Sequence, residues 1–174
     1  MSCERTIRRL RLASPTLILL LAAAATAAPT TLVPGMKFPD LAASGLEGAL
    51  PDLAAARVVI VDFWASWCGP CKQSFPVYDQ LQREYGPKGV VIIAVSVDRT
   101  AADMEKFLRR LAPGFSVVRD AAQKLVAQVA VPTMPTAFVL DRHGVVRFVH
   151  AGFHGDRSRM EYARQLDTLL SEAP

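Results

Sequence analysis

The sequence predicts one α/β domain with a central mixed β-sheet and helices on both of its faces. Three observations point there. The runs at 58–64 and 90–97 are apolar and rich in β-branched residues, as strands covered on both sides must be. Segments whose apolar residues recur every three or four positions alternate with them. Two short strands then fold back around Asp141-Arg142-His143-Gly144, a turn whose glycine is placed for a positive φ.

In chain order, residues 28–37 are expected to be a flexible lead-in to a domain spanning 38–174. Gly45, Gly48 and Pro51 mark 42–56 as a small hairpin or loop. The first strand gives way to a helix over 73–85, with Phe75, Tyr78, Leu81 and Tyr85 on one face. Pro76 removes one of its hydrogen bonds and should kink it, and Gly86-Pro87-Lys88-Gly89 stops it. After the second strand, Thr100 is placed to cap a helix with Met104, Phe107, Leu108 and Leu111 inward, ended by Pro113-Gly114. A short strand at 115–118 follows. Asp120 is placed to cap a helix reaching Val129, with Leu125, Val126 and Val129 inward. Residues 131–135 form a proline-rich loop, 136–140 and 145–150 the hairpin strands, and 156–170 a terminal helix with Met160, Ala163, Leu166 and Leu170 inward.

The first thirty residues distort the composition. Hydrophobic residues make up 51% of the 174, and the net charge is +4. Much of both comes from Arg5, Arg8, Arg9 and Arg11 followed by the apolar stretch from Leu17 to Ala28. This order, closing on Ala25-Thr26-Ala27, reads as a secretory signal peptide over 1–27. An uncleaved membrane tether is the rival reading, although about a dozen apolar residues fall short of the roughly 20 that a span needs. Without the segment, 16 basic residues face 15 acidic ones, so no basic nucleic-acid surface is indicated. Cys3 would leave with the signal. The mature chain would then hold only Cys68 and Cys71, too close together to staple a fold.

Those two cysteines lie in Trp67-Cys68-Gly69-Pro70-Cys71-Lys72, at the junction of the first strand and its helix. Three apart on a first helical turn, they can bridge into a small ring. Unpaired N–H groups and the positive end of the helix dipole stabilise a thiolate on Cys68. Cys68 is therefore the expected nucleophile, and Cys71, deeper in the helix, the resolving thiol. Asp62 lies six residues earlier inside the apolar strand. Burial raises a carboxyl pKa, and such a group can take the proton of Cys71. Zinc would need two further ligands, and no second cysteine pair exists.

The stretch Val61-Asp62-Phe63-Trp64-Ala65-Ser66-Trp67-Cys68-Gly69-Pro70-Cys71-Lys72 resembles the active-site segment of the thioredoxin superfamily almost position for position. Met134-Pro135-Thr136 resembles that family's cis-proline loop. With a signal sequence in front, the chain looks like the secreted TlpA/ResA-type thiol–disulfide oxidoreductases. The resemblance implies a thioredoxin-like fold, a redox-active Cys68–Cys71 disulfide, and a cis bond before Pro135 that sets it against the cysteines. It also implies that Met134 pairs its backbone with an extended substrate, while Trp67, Gly69 and Pro70 line the docking surface. Protein disulfides or dithiols are the implied substrates, and an electron-donating membrane thiol protein the implied partner of a monomeric periplasmic or secreted protein. No cofactor and no resident metal are expected.

Three positions depart from the ResA-like pattern. Ser74 stands where such proteins carry a glutamate, Asp62 where many have asparagine, and Thr136 where haem-maturation members have glutamate. These departures weigh against a dedicated role in cytochrome c maturation and towards a reducing, thioredoxin-like site. Two rival functions stay open at this level: a net oxidant of thiols, and a copper-binding module using the cysteines with His143, His150 or His154.

Overall fold

A computed structural model describes residues 31–172. The expected signal peptide at 1–27, with Cys3, lies outside the described residues. Five strands and four α-helices follow in the order β1 (Val58–Trp64), α1 (Gly69–Tyr85), β2 (Val90–Ser96), α2 (Ala101–Leu111), β3 (Ser116–Arg119), α3 (Lys124–Gln128), β4 (Thr136–Asp141), β5 (Val146–Ala151) and α4 (Asp156–Ser171). The sheet order is β3-β2-β1-β4-β5. β1 runs parallel to β2 and antiparallel to β4, so the sheet is mixed and helices flank it, as expected.

β1 is central, and all seven of its residues are buried. Its alternate side chains serve opposite faces. Phe63 meets Phe138 edge-on at 6.0 Å between ring centroids, and Phe38 closes on Phe138 at 5.4 Å. On the other face Trp64 packs on Phe75 of α1 at 4.6 Å and on Phe107 of α2 at 4.9 Å. Phe75 also touches Phe107 and Phe115, each at 5.2 Å, so one ring joins β1, α1, α2 and the approach to β3.

Several elements differ from the sequence reading. α1 starts at Gly69, four residues early, because Cys68 itself is the cap: it is extended, and its sulfur accepts from the Cys71 N–H. Pro70 fits there because first-turn N–H groups have no helical partner to lose. Pro76 lies inside the helix and the helix ends at Tyr85, both as expected. Asp120 is four residues ahead of α3, yet its buried carboxylate accepts from the N–H groups of Lys124 and Val126 at 3.0 and 2.8 Å. Met160 is 59% exposed; Tyr162, Leu166 and Leu169 take the inner face of α4 instead.

The lead-in also departs from expectation within the described residues. Leu32 is buried. The Gly35 N–H donates to the Val146 carbonyl, the Val146 N–H to Met36 and the Phe38 N–H to Gly144, at 2.8, 2.8 and 2.9 Å. β5 is an edge strand whose polar backbone groups need partners, and the lead-in supplies them at its first residue, Val146. At the opposite edge Glu47 and Arg119 exchange backbone hydrogen bonds at 2.9 and 2.8 Å, and the Arg119 guanidinium holds the Glu47 carboxylate. The 42–56 segment is thus a loop with one 3-10 turn at Ala42–Ser44 and an anchor on β3.

Replacing Phe75 by alanine is expected to cost about 3–5 kcal/mol, the usual penalty for emptying a large aromatic site. Urea unfolding should show a lower midpoint with an unchanged slope; a midpoint at the wild-type value would contradict the central place given to this ring.

Candidate active site

β1 ends at Trp64, and the chain turns at once into the cysteine segment. That turn is braced. Asp98, buried just beyond β2, accepts from the Ser66 N–H at 3.1 Å, from the Ser66 hydroxyl at 2.8 Å and from the Ser96 hydroxyl at 2.8 Å. Cys68 and Cys71 are joined in a disulfide with an S–S distance of 2.07 Å. Cys68 is 4% exposed and Cys71 fully buried, the order expected for an outer and an inner thiol. Gly69 and Pro70 are exposed, and Trp67 stands 69% exposed beside them. Trp64, by contrast, is core.

The Met134–Pro135 bond is cis. Pro135 is buried, and its carbonyl accepts from the Gly152 N–H at 2.7 Å. Phe63 pairs with Thr136 in the antiparallel register of β1 and β4. The end of β1 and the start of β4 therefore lie side by side, which brings the cysteine turn and the cis-proline loop to the same end of the sheet. Thr136 is itself buried and donates its hydroxyl to the Thr133 carbonyl at 2.8 Å. Ser74 is buried and donates to the Cys71 carbonyl at 2.9 Å.

Asp62 is fully buried in β1, with Ala94 and Ala137 as its strand neighbours. Oδ1 accepts from the Tyr78 hydroxyl at 2.9 Å, and Oδ2 has no partner among the described residues. Burial pushes the carboxyl well above the ordinary carboxylate range, and the Tyr78 hydrogen bond opposes this only in part. Tyr78 and Cys71 are seven apart on α1 and both buried, so they lie on the same helix face, two turns from each other. Behind Tyr78, the Tyr162 hydroxyl of α4 lies at 3.1 Å. Tyr78 reads in the sequence as a core position of α1. Tyr162 and Asp98 carry no local signal there, because their partners come from distant elements.

The remaining expected groups are scattered. Lys72 is exposed. His143 sits in the β4–β5 turn, and His154 is exposed ahead of α4. His150 lies over the Tyr162 ring at 4.3 Å, with Nε2 at 2.8 Å from Gln165. Among the described residues no group of three or more His, Cys, Asp or Glu is arranged to hold a metal ion, and no helix is long and apolar enough to cross a membrane. A cleft of about 720 Å³ involves Val59 and Leu140, at the opposite end of β1 from the cysteines, and takes no part in their chemistry.

The raised Asp62 carboxyl bears on stability. The unfolded chain releases this proton near pH 3.9, whereas the folded chain holds it to higher pH. Between those points the native state binds the proton more tightly, so stability falls as pH rises through the window and levels off above it. Asp62→Asn keeps the acceptor for Tyr78 and removes the charge. It is expected to gain on wild type as pH rises from about 4, by about 1.4 kcal/mol per unit until Asp62 is ionised. Urea unfolding across pH measures this, and a pH-independent difference between the two proteins would rule it out.

The comparisons with known proteins agree with this geometry. The family described as Redoxin matches residues 30–166. A thiol–disulfide oxidoreductase ResA of Bacillus thuringiensis is 34% identical over 115 residues, which cover 64% of this chain and 66% of that protein. A ResA of Geobacillus thermodenitrificans is 33% identical over 125 residues, 71% of this chain and 72% of that one. Among solved structures, a thiol:disulfide interchange protein DsbE from Chlorobium tepidum is 36% identical with a TM-score of 0.74, and the alignment covers 81% of this chain and 100% of that one. A Cys68–Cys71 disulfide at a strand-to-helix junction of a thioredoxin-like fold, together with these relatives, establishes that the chain belongs to the Redoxin family as a thiol–disulfide oxidoreductase.

Proposed function

We propose that the protein works outside the cytoplasm as a reductant of protein disulfides, cycling between the Cys68–Cys71 dithiol and disulfide. The placement of that pair carries the exchange chemistry: Cys68 caps α1, where free N–H groups favour a thiolate, and Cys71 lies buried one turn in. The reducing direction rests on Asp62, Ser74 and Thr136, which liken the site to reducing thioredoxin. The sulfur of Cys68 attacks one sulfur of a substrate disulfide. The substrate S–S bond breaks, a mixed disulfide forms, and the first substrate thiol departs. Cys71 then passes its proton to Asp62 and attacks Cys68. The mixed disulfide breaks, the second substrate thiol leaves with a proton, and two electrons have moved from the protein to the substrate.

Docking rests on the exposed surface around the pair. Trp67, Gly69 and Pro70 offer an apolar rim. No hydrogen bond among the described residues engages the Met134 backbone, which suits it to receive an extended substrate segment as an added strand. A dithiol protein at the membrane would restore the reduced form, because each turnover leaves the disulfide behind. Export follows from the charged and apolar N-terminal residues, and the protein acts as a monomer.

Equilibration with a dithiol buffer tests the direction of electron flow. A potential near about −270 mV is expected; a value near about −120 mV would make the protein a thiol oxidant instead. Cys71→Ser should accumulate a mixed disulfide between Cys68 and a reducible protein substrate, whereas Cys68→Ser should trap none. Trapping by Cys68→Ser alone would reverse the two roles.

A further inference from the structure

Tyr78 and Tyr162 are buried, titratable and unused by the exchange chemistry. Their hydroxyls nevertheless form a chain ending on the one buried carboxyl of β1. Tyr78 has a single hydroxyl proton. While that proton is donated to Asp62 Oδ1, the 3.1 Å contact requires Tyr162 to donate to the Tyr78 oxygen. The chain therefore has a direction when Asp62 is ionised, and each bond polarises the next. Oδ2 has no partner among the described residues.

We infer that Tyr78 is a positioning residue for Asp62, and that Tyr162 completes a two-hydroxyl chain holding the carboxyl with Oδ1 engaged and Oδ2 free for the proton of Cys71. The inference rests on the reading of Asp62 as the proton acceptor. Ala94 of β2 and Ala137 of β4 flank Asp62 in the sheet, Tyr78 of α1 donates to it, and Tyr162 of α4 stands behind Tyr78. Two further titratable groups face the chain: His150 of β5 lies over the Tyr162 ring, and the charge of Glu161 on α4 acts on Tyr162. Glu161, the next charge along α4, lies on the outer side, 3.8 Å from His150. The two hydroxyls thus do the work that a buried cation would otherwise do, favouring the carboxylate by donated hydrogen bonds without adding charge.

Two measurements separate the inference from the reading beneath it. The first is the titration of the Asp62 carboxyl by carbon NMR in the oxidised, full-length protein. Tyr78→Phe removes the donor, so the ionised form loses support and the midpoint is expected to rise by about one unit, the tenfold effect of one hydrogen bond to a charged group. Tyr162→Phe leaves the donor in place and removes only its polarising neighbour, so its midpoint should rise by less. Tyr162→Phe also decides the matter if Tyr78→Phe does not fold. Midpoints equal to wild type in the folded variants would overturn the inference. The second measurement is release of the chromophoric thiol from a Cys68 mixed disulfide with thionitrobenzoate, followed against pH. Tyr78→Phe should shift this profile upward with the NMR midpoint, and Asp62→Asn should flatten it. An Asp62→Asn profile identical to wild type would overturn the proton-acceptor reading, and with it the functional part of the inference, even where the NMR shift is found.

Discussion

Placing a carboxylic acid inside the central strand of the sheet is the constraint on which the rest of this structure turns. β1 is buried along its whole length, so Asp62 sits away from bulk solvent. A charge there is costly unless hydrogen bonds meet it. The protein meets half of the requirement with Tyr78 and leaves the other oxygen bare. That arrangement lowers stability, and the aromatic cluster around Phe75 on the same side of β1 offsets it with dense packing. The cysteines follow from the same strand. Its end, braced by Asp98, delivers them to the start of α1, where the helix supplies the electrostatics a thiolate needs.

Much of this was legible in the sequence. The strands showed because buried β-branched runs such as Val58–Val61 and Val90–Ile93 have few other uses, and the helices because Phe75, Tyr78 and Leu81 recur at the right spacing. The cysteine pair and Pro135 stood in patterns specific enough to place both loops, and the structure puts them at one end of the sheet. The misses share a cause. Met160 fits a helical stripe as well as Leu169 does, and only the packing of α4 against β1 decides between them. Asp120 reads as a cap next to its helix, whereas its carboxylate reaches over an intervening turn. Tyr162 and Asp98 gain their roles from partners 84 and 32 residues away, a relation no local pattern encodes.

The three departures from the ResA-like pattern also acquire a physical setting. Ser74 and Thr136 both turn their hydroxyls back onto nearby carbonyls, Cys71 and Thr133. Neither offers a charge to the cysteines. Asp62 is left as the buried acid beside this site, with burial raising its affinity for the proton and the Tyr78 hydrogen bond opposing that in part.

The two-edged cover of the sheet bears on how the chain reaches this state. Residues 35–38 precede all five strands of the sheet, yet their hydrogen-bonding partners lie in and beside β5, the last of the five. Glu47 likewise waits for β3. A growing chain carries its edge guards long before the edges exist. Closure of the sheet is then an event of the completed chain, and until it happens both outer strands present bare backbone to their surroundings. The cysteines emerge midway through that interval, before β4 brings Pro135 beside them. A first disulfide formed in this window would join Cys68 and Cys71 ahead of the fold that later governs their exchange.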